Sequence, residues 1–507
     1  MTRGFRSPNG PEAIGMSMNG KKALGGRKVI RPILCAITAL AAASALLYFL
    51  WSKGAFLPRW ILWQDQNFSD RSGEYEITLN RKTVQVEYKG AQIWSSPEGA
   101  KVQDVLSCDI DYDGEDELIL LCWKIGRYGA HRPFWIEKDE RKWSQHIFVY
   151  EYAGEEIRPK WMSSYIGVDV VAFCSNGKEG FWSRLLLTDL AGEVSCWKWD
   201  SWGFSREETD VNFVVFGDNL IHEPIYRYGL REDREFDFLF QNIRDTIEGS
   251  NVAVINQETP LTENPAGYSD YPRFGTPAQV GQAIVDAGFD VVTCATNHAL
   301  DKGAEGVDFT KEFFGSRGVK CLGIQSTEEE EYLPYELITR NNIRFALLNY
   351  TYGTNGIPVP GEHPYMVHLL EDAERVRADV AAARADADCV IVFAHWGTEG
   401  SEQVDEFQRE WAQVFLESGV DVVVGTHPHV LQPYEMLTGQ DGRKMLVYYS
   451  IGNYISAQRE ESCVKGGMAS FTVSLTAEGY KVMEYGLQPL TIRRQEDGGY
   501  MVEITEE

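Results

Sequence analysis

The sequence predicts an α/β domain that follows a single membrane-spanning helix and an all-β region. Three observations lead there. An uncharged apolar run near the N-terminus is as long as a bilayer span. Short segments of alternating polarity then recur to about residue 205. Beyond Val211, continuously apolar strands take turns with helical stretches.

The first element is "PILCAITALAAASALLYFLW", Pro32 to Trp51, which carries no charge. Lys21, Lys22, Arg27, Lys28 and Arg31 precede it, and the positive-inside rule keeps that end in the cytoplasm. Residues 1–28 are rich in Gly, Ser, Asn, Lys and Arg without an apolar period, the composition of a disordered tail. A cleaved signal peptide is the alternative. The run is long for one, and no small-x-small site is followed by a mature-looking start. Residues 29–52 are therefore read as an uncleaved anchor in the cell membrane. The chain crosses once, and its bulk lies outside the cell.

At 507 residues the chain has room for two or three domains. Its net charge of −27 argues against nucleic-acid binding, which needs a basic face. None of the nine cysteines forms a CxxC pair, and they read as free, mostly buried thiols.

From 70 to 205 the segments "EYEITL", "KTVQVEY", "ELILLCW", "HIFVYEY", "LLLTDL" and "EVSCWKW" are strands of a β domain. "IWSSP" at Ile93 and "KWMSS" at Lys160 suggest a weak repeat of the propeller-blade kind. Within it, "DIDYDGEDEL" alternates Asp109, Asp111 and Asp113 before Gly114, with Glu117 at the ninth position. The twelfth position is Leu120, so this is not an EF-hand. The stretch resembles the calcium loops of FG-GAP or VCBS-type β-propeller repeats. That resemblance implies structural calcium; the alternative is a solvated acidic hairpin.

From 211 to 507 the strands are "VNFVVF", "NVAVIN", "DVVTCAT", "RFALLNY", "DCVIVFAH", "DVVVGTH" and "MLVYYS". "TPAQVGQAIVDAGF" reads as a helix with Thr276 as N-cap and Pro277 at its first position, stopping at Gly288. "DEFQREWAQVFLESG" reads as a helix stopping at Gly419.

These strands end alike. Gly217 and Asp218 close the first, with His222 four residues later. Gln257 and Glu258 close the second; Asn297, His298 and then Asp301 follow the third. His395, Trp396, Gly397 and then Glu399 follow another, and His427, Pro428 and His429 a fifth. Carboxyl ends of strands in such sheets face the ligand crevice. Five of the nine histidines fall in these motifs. On an extended stretch, residues two apart face the same way, so His427 and His429 are expected to reach one cleft. Imidazoles, carboxylates and a carboxamide together suit Mn, Fe or Zn better than an all-oxygen calcium cage. Trp396 is a wall of the site or a core aromatic. Glu399 is a partner for a ligand histidine or a solvated charge. Gly452 and Asn453, in "GNY", face an anion or only end a strand.

The ordered set "GDNLIHE", "NQETPLT", "TNHALDKG", "YGTNGIPVP", "AHWGTE", "GTHPHVLQP" and "YSIGNY" resembles the CapA family of poly-γ-glutamate capsule synthesis proteins, within the calcineurin-like metallophosphoesterase superfamily. The resemblance covers about Val211 to Ser456 and implies a four-layer α/β/β/α metallophosphatase-like sandwich. It implies Asp218 as a ligand of a first metal, Glu258 as the bridging carboxylate, Asn297 and His395 on a second metal, and His427 and His429 divided between them. It makes His298 the general acid, oriented by Asp301. Two positions depart from the superfamily. Residue 220 is Leu where the first motif has His, leaving His222 nearest, and the bridging Asp is Glu258. One ion or two is therefore open.

The resemblance implies a metal-dependent hydrolase or transferase in capsule or poly-γ-glutamate biosynthesis. Its partners would be an anionic surface polymer or its precursor, the membrane, and other polymer-synthesis membrane subunits. The competing reading is a non-catalytic polymer-binding or scaffolding subunit.

Overall fold

The computed structural model describes residues 26–126, 138–163, 165–175, 183–231 and 235–505, with side chains from residue 34 onward. The expected tail lies outside these up to residue 25. The described chain forms two compact units: residues up to Ser107 with Asp116–Gly167, and Cys108–Glu115 with Val168 onward.

In the first unit, Gly26–Ser52 is one helix, begun two residues before the expected tail ends. Its segment Leu34–Ser52 has a mean hydropathy of 2.0 and exposes its side chains, and it alone among the described residues is long and apolar enough to cross a membrane. Two antiparallel sheets of four strands follow in chain order, from Gln66–Ser69 to Ala91–Ser95 and from Lys101–Cys108 to Glu156–Met162. Alternation directs the burial. In Tyr75–Asn80 every second side chain is buried, so Ile77 and Leu79 meet Leu118, Leu120 and Phe148 of the other sheet in one core.

The second unit begins with a third four-stranded sheet, Val170–Ser175 to Gly203–Glu207. The compact boundary falls at 167, and the architecture changes further on, after Gly203–Glu207. After it come two large sheets. One has Val211–Asn219 at its centre, parallel to Val252–Gln257 and then to Val291–Thr293 and Lys320–Leu322. On its other side it pairs antiparallel with Lys465–Thr476. The other sheet runs Ile343–Thr351, Cys389–His395, Val422–Thr426 and Lys444–Tyr448 in parallel, with antiparallel strands at both edges.

The parallel strands read as continuous apolar runs because both faces are covered. Phe213, Val254, Phe345, Ile391 and Val424 join one cluster fed by both sheets. Phe216 and Ile255 join a second cluster with Ile284 and Phe314 of the helices Ala278–Ala287 and Gly303–Gly315. Val392 and Val423 join a third, with Val380 and Phe415 of Ala373–Asp386 and Glu406–Ser418.

Both expected helix stops hold: Gly288 and Gly419 adopt left-handed caps at φ 93° and 99°. The start at Thr276 does not. Thr276–Pro277 pairs as a strand with Leu261–Thr262, and the helix starts at Ala278 with Pro277 as its cap. The Thr276 hydroxyl is taken by Thr259, 2.6 Å away, and so is not available as a cap. Two glycines let the strand ends close up. A Cβ on Gly217 would stand 1.9 Å from the Gly452 carbonyl oxygen, and one on Gly425 would stand 2.0 Å from that of Tyr449. These approaches set the positions of Asp218 and of the His427–His429 turn.

Candidate metal centre

The strand ends of both sheets deliver their polar residues to one buried place. Asp218, Glu258, Asn297, His298, His395, His427 and His429 are all less than 5% exposed. Glu258, His395 and His427 form one group in which a ligand atom from each lies within 4.8 Å of the others. Asp218, Glu258 and His429 form a second, and Glu399, His427 and His429 a third. Glu258 belongs to two groups, the placement a bridging carboxylate needs.

The two histidines of the pair do not arrive as expected. The strand stops at Thr426, and His427 and His429 stand at φ 97° and 63°, on either side of Pro428. This is left-handed rather than extended backbone, a conformation few non-glycine residues adopt and one that persists only where the surroundings enforce it. Here Asp218 enforces it. Its Oδ2 accepts the His427 N–H at 3.3 Å and lies 3.0 Å from His429 Nδ1. Asn453 Oδ1 stands 3.0 Å from the same nitrogen.

Both carboxylate oxygens of Glu258 are buried without a hydrogen-bond partner, as is Nδ1 of His427. Buried polar atoms are rarely left so, and a carboxylate there is costly unless a cation or donor compensates it. The nearest candidates are His429 Nε2 at 3.7 Å and His395 Nε2 at 3.9 Å from Glu258 Oε1. The donor set therefore fits a divalent cation on the chemistry of its own orphaned atoms.

Burial, with neighbouring His429 and His298, holds His427 down at about 3. Burial and the other histidines also push His395 well below the usual range. Both imidazoles are neutral near pH 7, the form that binds metal. Burial acts to lower His429 too, but the Glu258 and Asp218 carboxylates outweigh it and the ring is pushed up to about 9. Burial drives Glu258 upward, with Asp218, Glu399 and Asp301 adding to it and His429 opposing. His429 therefore retains a proton near pH 7, and metal must displace it. Metal affinity is expected to rise with pH up to about 9, with proton release measurable by calorimetry in buffers of different ionisation enthalpy. In chelated protein the sign reverses. His429's contribution to stability is full below the unfolded value of 6.5 and is lost as pH rises through about 9.

A polar surround fixes the donors. Asn256 Nδ2 donates to Asp218 Oδ1 at 2.7 Å and is itself held by Thr293. His395 Nδ1 meets Thr426 Oγ1, and its Nε2 meets Asn297 Oδ1, each at 2.9 Å. His298 Nδ1 lies 2.7 Å from Asp301 Oδ2, which also accepts the Phe274 N–H. Asn355 Oδ1 accepts from Asn297, and its amide reaches His298 Nδ1 at 3.4 Å. The Tyr352 ring stands 4.6 Å from that of His427, with 39% of the residue exposed.

Other candidates lie differently. His222 is in none of the three groups; its Nδ1 meets the Leu220 carbonyl and the Ala457 N–H, and its ring packs edge-on against Phe274. Trp396 is fully buried, donates to the Tyr449 carbonyl and belongs to the third core cluster, so it offers no wall to a ligand. Glu399 is exposed yet within reach of the histidine pair. Gly452 accepts the Asp218 N–H through its carbonyl. In the acidic loop, Asp109 accepts the Tyr112 and Gly114 N–H groups and Asp113 that of Glu115. Glu117 is buried and pairs with Lys160 at 2.7 Å.

Sequence reading missed Asn256, Phe274, Thr426 and Tyr352. Asn355 and Tyr352 lie in the stretch "YGTNGIPVP", the available signal for both. Asn256 had only its position just before Gln257 and Glu258.

Residues 212–458 match the family described as "Bacterial capsule synthesis protein PGA_cap". The chain is 27% identical over 260 residues to the "PGA biosynthesis protein CapA" of Bacillus subtilis (strain 168), covering 50% of this chain and 65% of the relative. It is 25% identical over 265 residues to the "Capsule biosynthesis protein CapA" of Bacillus anthracis, covering 50% and 61%. The match thus spans less than two-thirds of either relative's length. The solved structure of Haemophilus influenzae NAD nucleotidase aligns over 59% of this chain and 60% of its own, at 13% identity and a TM-score of 0.38. Residues 212–458 and the two capsule-protein relatives thus make this part of the chain similar to the bacterial capsule synthesis protein PGA_cap family.

Proposed function

We propose that the chain is a membrane-anchored protein of capsule synthesis that acts on poly-γ-glutamate or another anionic surface polymer through a divalent-metal site. The relatives' names speak for the polymer. The observation that carries the metal site is Glu258, whose two buried oxygens lack partners among histidines and a second carboxylate. Asp218, Glu258, Asn297, His395, His427 and His429 would hold one or two ions of Mn, Fe or Zn, which suit mixed nitrogen and oxygen donors. The three apolar clusters support a helix–sheet–sheet–helix layering of the metallophosphatase type.

The bound ion would supply Lewis acidity toward a phosphoryl or carbonyl oxygen. His298 supplies the proton. With Nδ1 held by Asp301, Nε2 is the nitrogen left to protonate a leaving group. Asp301 fixes that tautomer and is itself fixed by the Phe274 N–H. The activity is then a metal-dependent hydrolysis or transfer. The helix Gly26–Ser52 would hold the domain at the outer membrane face with its N-terminus in the cytoplasm, beside other membrane subunits of polymer synthesis.

The test is polymer yield in capsule-producing cells carrying variants of this chain. Deleting Leu34–Ser52 should release the protein from the membrane fraction and abolish surface polymer. His427→Ala should leave the protein in the membrane yet also abolish polymer. Normal polymer in the His427→Ala strain would contradict the proposal.

A further inference from the structure

A cavity of about 400 Å3 lies beside the candidate metal centre, lined among others by Leu261, Glu263, Asn264, Lys302, Glu305 and Phe309. Its size falls in the usual range of small-molecule sites, about 300–1,000 Å3. Lys302 ties it to the centre. Phe274 packs edge-on against the His298 ring at 4.8 Å, and the next residue, Gly275, faces the Lys302 stem. Lys302 itself directly follows Asp301, the partner of His298.

The lysine is threaded rather than draped. A Cβ on Gly275 would stand 2.3 Å from Lys302 Cε, and one on Gly306 would stand 2.4 Å from Lys302 Cβ. Two positions without side chains thus give the stem its path. Its ammonium donates to Ser269 Oγ at 2.7 Å and makes no ion pair among the described residues. That is notable in a chain with 75 acidic residues against 48 basic ones. An ammonium has three protons to donate, so capacity remains for a ligand oxygen. Glu263 and Glu305 line the same cavity with the opposite charge. Phe309, only partly buried, adds an apolar surface suited to methylene groups.

A cavity with one cation and two carboxylates disfavours a plain polyanion and favours a ligand that carries both signs close together. We propose that this cavity is a subsite for an α-amino-acid end group, with Lys302 taking the carboxylate and Glu263 and Glu305 the ammonium. The group would be the amino end of a glutamyl chain whose neighbouring bonds lie toward His298. This rests on the reading of the centre as acting on a glutamyl polymer.

The experiment is calorimetric binding of γ-linked tri-glutamate, and of its N-acetylated form, to the full metal-loaded chain in detergent. Acetylation removes the ammonium without touching the protein. It is expected to weaken binding on the order of tenfold, the scale of one charge-assisted hydrogen bond. Lys302→Met should weaken binding of the free tripeptide by a similar factor with metal content unchanged. Gly306→Ala should do the same by displacing the stem. Equal binding of the free and acetylated forms, or binding that Lys302→Met leaves intact, would overturn the subsite while the polymer reading stands. Failure of the wild-type chain to bind either form would overturn both.

Discussion

Glu258→Gln is expected to leave the chain folded and to remove its stabilisation by divalent metal. The side chain is fully buried and its two oxygens accept no hydrogen bond, so the substitution deletes no hydrogen bond and loosens only the long approaches to His429 and His395. What it deletes is the carboxylate common to two of the three donor groups. A ligand that binds only the folded state stabilises it by mass action, about 4 kcal/mol at a thousandfold excess over the dissociation constant. Wild-type protein should therefore melt higher with Mn or Zn than with chelator, and Glu258→Gln should melt alike in both. A variant that keeps the full metal-dependent shift would place the ion elsewhere. A variant that fails to fold even in chelator would make Glu258 a structural residue.

The second large effect is expected at His298. His298→Asn should keep metal and lose turnover by a factor on the order of 10²–10⁴, the range for removing a positioned general acid. The expectation follows from geometry. His298 belongs to none of the three donor groups, yet Asp301 holds its Nδ1 at 2.7 Å. Asp301→Asn should cost less, because the imidazole remains and only its orientation and tautomer are loosened. Surface polymer in cells and metal content of the purified variants separate the outcomes. If metal falls together with turnover in His298→Asn, the residue is a ligand and the acid lies elsewhere.

The parallel strands were legible because burial on both faces writes itself as an unbroken apolar run, as in Cys389–His395. The long strand Gly479–Arg494 was not, since its side chains are mixed in burial and polarity along its length. Glu156–Met162 was equally hidden, carrying charged residues and Pro159. In the site, Asp218, Glu258, His395 and the His427–His429 pair could be found because metal-ligating residue types followed directly on strands. The backbone that brings the pair inward could not: a positive φ at histidine has no sequence signature of the kind glycine gives. Asn256 and Thr426 are ordinary polar residues in apolar strands, and their role exists only through the side chains they hold. Trp396 lay in the right motif but turns into the core, because successive residues of a strand end face opposite ways.

The central claim is that the strand ends of two sheets hold a divalent metal, and the metal content of the purified full-length chain tests it most directly. Mass spectrometry should find Mn, Fe or Zn bound stoichiometrically in the wild type. His427→Ala and His429→Ala should lose that metal while their circular dichroism matches the wild type. Full metal content in both variants, or none in the wild type after incubation with each of the three metals, would contradict the account.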